Sequence, residues 1–244
     1  MTEWIETGLQ VDVQPAEYNR LLGYPRNFTL EGRAQELAAA ALQWYAEHGR
    51  PWLYARELSQ AAASVTGVEL VGEPFHSATL RRRFTQSHAG SAVLAAMCAG
   101  PEIEEEAQRL WRDERPDEYY FHEVLGTAVV ERLAGMMSAR LCQWADARNI
   151  AVLPHDSPGY PQWDIAEQPR LLQLLKRNAV LPGCMEALDS GALKPKKSLL
   201  AVYGIAPAAQ AVRRLTATTL PCDNCSLTPC DFRRPRWLGE KESP

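Results

Sequence analysis

Residues 155–168 read HDSPGYPQWDIAEQ, from His155 to Gln168, and the rest of the chain is organised around them. Pro158 and Pro161, with Pro154 just upstream, fix three backbone φ angles, so a loop here loses little entropy when it holds a ligand. Gly159 permits a positive φ or a close backbone approach. His155, Asp156, Ser157 and Tyr160 bring a switchable cation, an anion, a hydroxyl and an aromatic ring within six positions. Two readings stay open on these residues alone. One is a rigid ligand loop; the other is a proline-stiffened turn whose polar side chains satisfy local backbone groups. A catalytic triad ranks last, because His155, Asp156 and Ser157 are consecutive and cannot converge on one point.

On either side the pattern alternates irregularly between helix and strand. Downstream, Ile165 to Leu175 reads as a helix and the apolar run Leu199 to Ile205 has strand length. Upstream, the longest helix is expected from Asp117 to Ala147. Leu125, Val129, Leu133, Met136 and Met137 lie on one of its stripes at helical spacing. His122 shares that stripe and reads as a hydrogen-bonded core residue. Ala92 to Cys98 is expected as a buried strand. Gly100-Pro101 then opens a helix whose Glu102, Glu104, Glu105 and Glu106 suit the positive end of its dipole.

Nearer the N-terminus, Thr79 to Ser87 reads as a helix, with Arg81–Arg83 as a solvated face. Val65 to Val71 reads as a short strand before a turn at Gly72–Pro74, and Tyr54 to Ala63 as a helical stretch. Leu30 to His48 reads as a helix closed by Gly49. Residues 1–30 read as a polar lead-in ending in a turn at Gly23-Tyr24-Pro25. Ala206 to Leu215 reads as a short basic helix or linker. With no Gly-rich phosphate loop after a strand, the expected class is α+β: a mostly antiparallel sheet flanked by helices, with a C-terminal cysteine-rich tail.

The composition places limits on function. A formal net charge of −4 over 244 residues gives no global basic field to collect nucleic acid or an anionic membrane. No apolar run reaches the roughly 20 residues that span a bilayer. The start, MTEWIETGLQVDVQ, lacks a basic region followed by an apolar stretch, so a cytoplasmic location is expected. Six cysteines there would be reduced, favouring metal binding, redox chemistry or burial over disulfides.

The 155–168 stretch resembles the loop of the activation domain of cobalamin-dependent methionine synthase, where an Arg-x-x-Pro-Gly-Tyr-Pro segment binds S-adenosylmethionine. LDSGALKPKKSLLAVYGI (Leu188 to Ile205) resembles that domain's second signature: acidic-Ser, a few apolar residues, Pro, two variable residues, Ser, then a strand. Tyr119-Tyr120 and VVERLAG resemble the helix before the loop. HSATLRRRF and SAVLAAMCAGPEIEEE resemble stand-alone relatives of the domain. The likeness covers roughly residues 70–205 and lies in motif order and spacing.

The resemblance implies one domain with an N-terminal helical and αβ part over residues 1–115. Residues 116–210 would form the activation-domain-like core with its ligand loop, and residues 211–244 the cysteine-rich tail. It implies S-adenosylmethionine as ligand, held by Pro158, Gly159 and Tyr160, with His155, Asp156, Ser157 and Ser198 beside them. The function implied is support for reductive methylation of a corrinoid, with cobalamin carried by a partner methyltransferase or corrinoid protein and an electron donor as a further partner. His155 stands where the family has an Arg that meets the ligand carboxylate, and a neutral His is the weaker partner. Gly135 and Asn149 stand where the family has ligand-facing acids. An alternative is a metal-stapled adaptor that keeps the fold and has lost the ligand.

Cys222, Cys225 and Cys230 form C-x2-C-x4-C, a pattern that starts many zinc or iron–sulfur sites. Cys184, Asp223, Asp231 or an exogenous group would complete the set; free or redox-paired thiols are the other reading. An iron–sulfur cluster would relay the electron that cobalamin reactivation needs, whereas zinc would staple the tail. Arg233, Arg234 and Arg236 would face an acidic redox partner or simply solvent. Cys98 and Cys142 fall in apolar segments and are expected to be buried and inert.

Overall fold

The computed structural model describes residues 3–24 and 28–211. Cys222, Cys225, Cys230 and the arginines after them lie outside the described residues, as does Pro25 of the expected N-terminal turn. The helices expected from periodicity form: Gly32–His48 (α2), Ala78–Ser87 (α3), Glu102–Arg112 (α4) and Pro116–Asp146 (α5). A single 3-10 turn, Ile165–Glu167, leads into Gln168–Lys176 (α6). The strands at Ser91–Cys98 (β6) and Ser198–Pro207 (β10) form as well. β10 absorbs Ala206 and Pro207, so the basic helix expected from Ala206 does not begin there.

Two expectations are corrected. The N-terminal lead-in contains a strand, Glu3–Thr7 (β1), and a helix, Pro15–Leu21 (α1). The stretch from Tyr54, expected as helix, is Trp52–Leu58 (β2) followed by Ala61–Ala63 (β3). Its Ala, Arg, Glu and Leu content favours helix in isolation. β2 is buried along almost its whole length, however, between β1 and β6, and pairing in the sheet outweighs that local preference.

The main sheet has strand order β1-β2-β6-β10-β7, where β7 is Ile150–Val152, and each pairing in it is antiparallel. The expected α+β class with an antiparallel sheet and flanking helices holds. Residues from both the N-terminal part and the loop-bearing part supply its strands. Alternation along β6 and β10 sends side chains to two cores. Val93, Ala95, Met97, Ala201, Tyr203 and Ile205 face the core made with α1, α2 and α5. Leu94, Ala96, Leu200 and Val202 face the core made with α3 and α6. On the α5 side, Leu125, Val129, Leu133 and Met137 form the expected stripe, while Met136 is only partly buried against it. Two small antiparallel sheets complete the fold: β3 with Val68–Leu70 (β4) and Glu73–Phe75 (β5), and a hairpin of Glu186–Ala187 (β8) with Leu193–Lys194 (β9).

His122 is buried on the α5 stripe, and its Nδ1 lies 2.9 Å from the Glu118 carbonyl. Burial holds its imidazole below the ordinary range. It sits edge-on to Trp44 in the packing of α2 on α5, as a core histidine would.

Candidate functional site

The chain leaves α5 through Asn149, whose φ of 52° is left-handed, and enters β7. Asn is one of the few residues that adopts this conformation cheaply, which accounts for it at this position without reference to a ligand. β7 pairs with β10 in the register Val152 to Ile205, and the Leu153 amide donates to the Gly204 carbonyl. Three residues later the register has slipped by one, because Asp156 pairs with Val202 through both backbone bonds. Pro154 and His155 therefore both stand opposite Tyr203. This is a β-bulge, and it decides where the loop side chains point.

Because of the bulge, His155 shares the α5 face with Tyr203, their ring centroids 5.2 Å apart. Asp156 shares the α3 face with Val202. Simple alternation from Val152 would reverse the two. Arg83, buried at the back of α3, donates from one guanidinium nitrogen to the carbonyls of both bulge residues, at 2.8 Å each. The last arginine of the surface trio thus resolves differently from the other two: Arg81 and Arg82 are exposed, as expected, and Arg83 is a clamp.

Beyond the bulge come two consecutive turns. The Tyr160 amide donates to the Ser157 carbonyl, with Pro158 and Gly159 (φ 91°) in the middle positions. The Trp163 amide then donates to the Tyr160 carbonyl, with Pro161 and Gln162 (φ 72°) in the middle. Proline first and a positive φ second define type II turns, so SPGY and YPQW are a tandem pair. Gln162 occupies a conformation that costs an ordinary side chain roughly 1 kcal/mol. Trp163 is buried against Phe75, and its indole N–H donates to Glu167 at 2.7 Å. Glu167 also accepts from the His76 backbone amide at 2.8 Å and from Arg170 at 2.8 Å, with His76 Nδ1 2.7 Å away. Burial opposes its charge, yet the His76 and Trp163 contacts hold its carboxyl below the usual range.

The predicted site residues divide between the two faces. Asp156 is buried and accepts from Ser77 Oγ at 2.6 Å; the same Ser77 oxygen caps α3 by accepting from the Leu80 amide at 3.0 Å. Burial raises the Asp156 carboxyl above its usual range, and the Ser77 hydroxyl and Arg83 pull it only partway back. Ser157 is also buried, turned to the Pro158 carbonyl. The Asp156 side chain holds the loop to the start of α3, and Ser157 bonds within the loop. Ser198 begins β10 opposite Cys98, four positions before Val202.

His155 and Tyr160 are half-buried on the other face. The Tyr160 hydroxyl lies 3.5 Å from His155 Nε2, with ring centroids 5.9 Å apart. Burial, reinforced by the charge of Arg83, lowers the His155 pKa to about 4, so the imidazole is neutral at physiological pH. Tyr203 is fully buried, and its hydroxyl approaches Ser138 of α5, whose own hydroxyl donates to the Ala134 carbonyl. Cys142 lies one turn further along α5, and burial pushes its thiol up. Gly135 lies one turn before Ser138, and a Cβ there would meet no described atom within 4 Å.

The result is an uncharged cluster of a neutral imidazole, two phenols, a hydroxyl and a thiol. Of its three rings only His155 and Tyr160 are partly exposed, and ring faces of that kind suit a flat ring or a soft cation. The cluster offers no activated nucleophile, since its thiol is protonated and its histidine a weak base. Tyr203 and the bulge were missed in the sequence. The aromatic residue in the run LLAVYGI was its only trace.

The two signature blocks meet. Asp156 bridges Val202, and the turn at the tip of the β8–β9 hairpin packs on the 3-10 turn, where a Cβ at Gly191 would sit 2.4 Å from the Ile165 carbonyl oxygen. Cys184 is exposed, and Cys98 is fully buried with a raised thiol pKa. Among the described residues no group of three or more His, Cys, Asp or Glu side chains could hold a metal ion. No described helix is long and apolar enough to cross a membrane.

No protein-family model and no curated protein matches the sequence. Among solved structures the chain is similar to one described as the crystal structure of the MetH reactivation domain bound to AdoHcy. The TM-score is 0.59 at 14% identity, and the match covers 90% of this chain and 83% of that one. At that identity the likeness is one of fold: this chain has the architecture of the MetH reactivation domain.

Proposed function

We propose that this protein binds S-adenosylmethionine on the 155–160 loop and supports reductive methylation of a corrinoid held by a partner protein. The observation that carries the reading is the tandem turn Ser157–Trp163 docked on β10, beside the His155, Tyr160 and Tyr203 rings, within a fold whose solved neighbour is described with AdoHcy bound. In this reading Pro158 and Gly159 offer rigid backbone to the nucleoside and the Tyr160 ring, backed by His155, faces the sulfonium. The protein positions a methyl donor, and the nucleophile is supplied by the partner's cobalt.

A second reading is favoured by one specific feature. His155 is neutral, and neither Gly135 nor Asn149 presents a carboxylate, so the described residues give a zwitterionic ligand little charge to meet. An adaptor that keeps the fold without the ligand fits that feature; metal held by Cys222, Cys225 and Cys230 belongs to this proposal too. Titration calorimetry with S-adenosylmethionine and S-adenosylhomocysteine separates the readings. Saturable heat that is lost in Tyr160→Ala supports the first, and no heat at millimolar ligand leaves the adaptor.

A further inference from the structure

An open groove of about 670 Å³ runs along the outer face of α3, on the opposite side of the loop from the aromatic cluster. Ala78, Arg81, Arg82, Thr85 and Gln86 line it at positions i, i+3, i+4, i+7 and i+8, one stripe of the helix. Ser64 and Gln162 close its two sides, and Gln162 comes from the tandem turn itself.

Every lining residue but Ala78 carries a side-chain donor and none is acidic, while most of the exposed wall is apolar. Arg81 is anchored by a bond to the Val65 carbonyl at 2.6 Å, which holds its guanidinium over the groove and leaves further N–H groups. Arg82 makes no hydrogen bond or ion pair among the described residues. Ser64 Oγ accepts from the Gly67 amide, so its own proton remains to be given. The Gln162 carboxamide accepts from Thr79 Oγ1 at 3.3 Å, which turns its NH2 end away from Thr79. Asp156 lies behind α3 and is engaged by Ser77, and Arg83 and Arg82 favour its charge through space. Two guanidinium groups on one wall of a concave surface give it a local positive potential in a chain of net charge −4.

We propose that this groove is a binding site for a small polyanion bearing two adjacent oxyanions, an organic phosphate or a polycarboxylate. Arg82 and Arg81 meet the oxyanions in forked geometry, and Thr85, Gln86 and Gln162 hydrogen-bond the remaining oxygens. The site does not depend on the nucleoside reading and uses different residues. Because Gln162 belongs to the turn that carries Tyr160, occupancy here also braces the loop from its outer side.

The test is calorimetry on the full chain at low salt, with pyrophosphate in one arm and citrate in the other. One saturable site per chain is expected, weakening with added salt. The tighter arm identifies the phosphate or carboxylate source. Arg82→Gln, at an exposed residue with no hydrogen bond among the described residues, should shift the melting temperature little and lose about tenfold or more in affinity, as loss of a charge-assisted contact requires. Thr85→Val should weaken binding less. Absence of saturable heat up to about 10 mM of either anion, or equal affinity in Arg82→Gln, overturns the proposal.

Discussion

Ser77→Ala removes two bonds with one atom. Its oxygen caps α3 and also donates to a buried carboxylate, Asp156, that anchors the loop. Losing a helix cap costs about 1 kcal/mol. Leaving a buried acceptor short of a partner costs about 1–3 kcal/mol more. The sum, about 2–4 kcal/mol, is a substantial share of the roughly 5–15 kcal/mol that stabilises a typical domain. It should be measurable by urea unfolding and accompanied by a fall of several degrees in melting temperature.

The same geometry fixes a pH signature. The folded-state pKa of Asp156 is raised above 3.8, so the folded chain holds this proton more firmly than the unfolded one. Its contribution to stability is therefore complete below 3.8 and is lost as pH rises through the folded value. At neutral pH the buried charge costs stability, and Ser77 offsets part of that cost. The Ser77→Ala penalty should accordingly be largest near pH 7 and shrink toward the cap term of about 1 kcal/mol as pH falls below the raised folded value. A double-mutant cycle with Asp156→Ala should show coupling of about 1–2 kcal/mol. A penalty independent of pH, or strict additivity in the cycle, would refute the clamp.

Three further outcomes follow from the site. The His155 ring, with its pKa lowered from 6.5 to about 4, should show no titration by NMR between pH 8 and 5.5, and its share of stability should be full above pH 6.5 and lost as pH falls toward 4; a midpoint near 6.5 contradicts the buried placement. Gly159→Ala should cost about 1–2 kcal/mol for its φ of 91° alone, since its Cβ meets Ile165 at an ordinary 3.6 Å; Gly191→Ala should cost more, because its Cβ would fall 2.4 Å from the Ile165 carbonyl oxygen as well, and equal urea midpoints would contradict the docking of the hairpin on the 3-10 turn. Glu167→Ala should destabilise by about 2–4 kcal/mol near neutral pH, with the penalty fading as pH falls through the lowered folded pKa, and unfolding curves for the two proteins at pH 7 and 4 test it.

The antiparallel α+β class, the long helix and the meeting of the loop with β10 were legible because periodicity and motif order carry them. β2 was not, because a strand buried on both faces has no alternation to read and its Ala, Arg, Glu and Leu residues favour helix in isolation. The polar residues of the loop were recognised as a group, but their division between faces was hidden. It depends on one extra residue opposite Tyr203, and a bulge leaves no mark in the hydrophobic pattern. Arg83 shows the same limit: three arginines in a row read as a solvated face until tertiary packing turns the third inward.

The strand order has a consequence for how the chain is made. β10 is encoded last among the described strands yet lies between β6 and β7, pairing with eight consecutive residues of β6. Emerging from a ribosome, β1, β2 and β6 can assemble long before residues 198–207 appear, and until then β6 presents a bare apolar margin able to recruit any extended segment nearby. Nascent or truncated chains ending before Ser198 should therefore aggregate or depend on chaperones, even though every residue of the first three strands is already present.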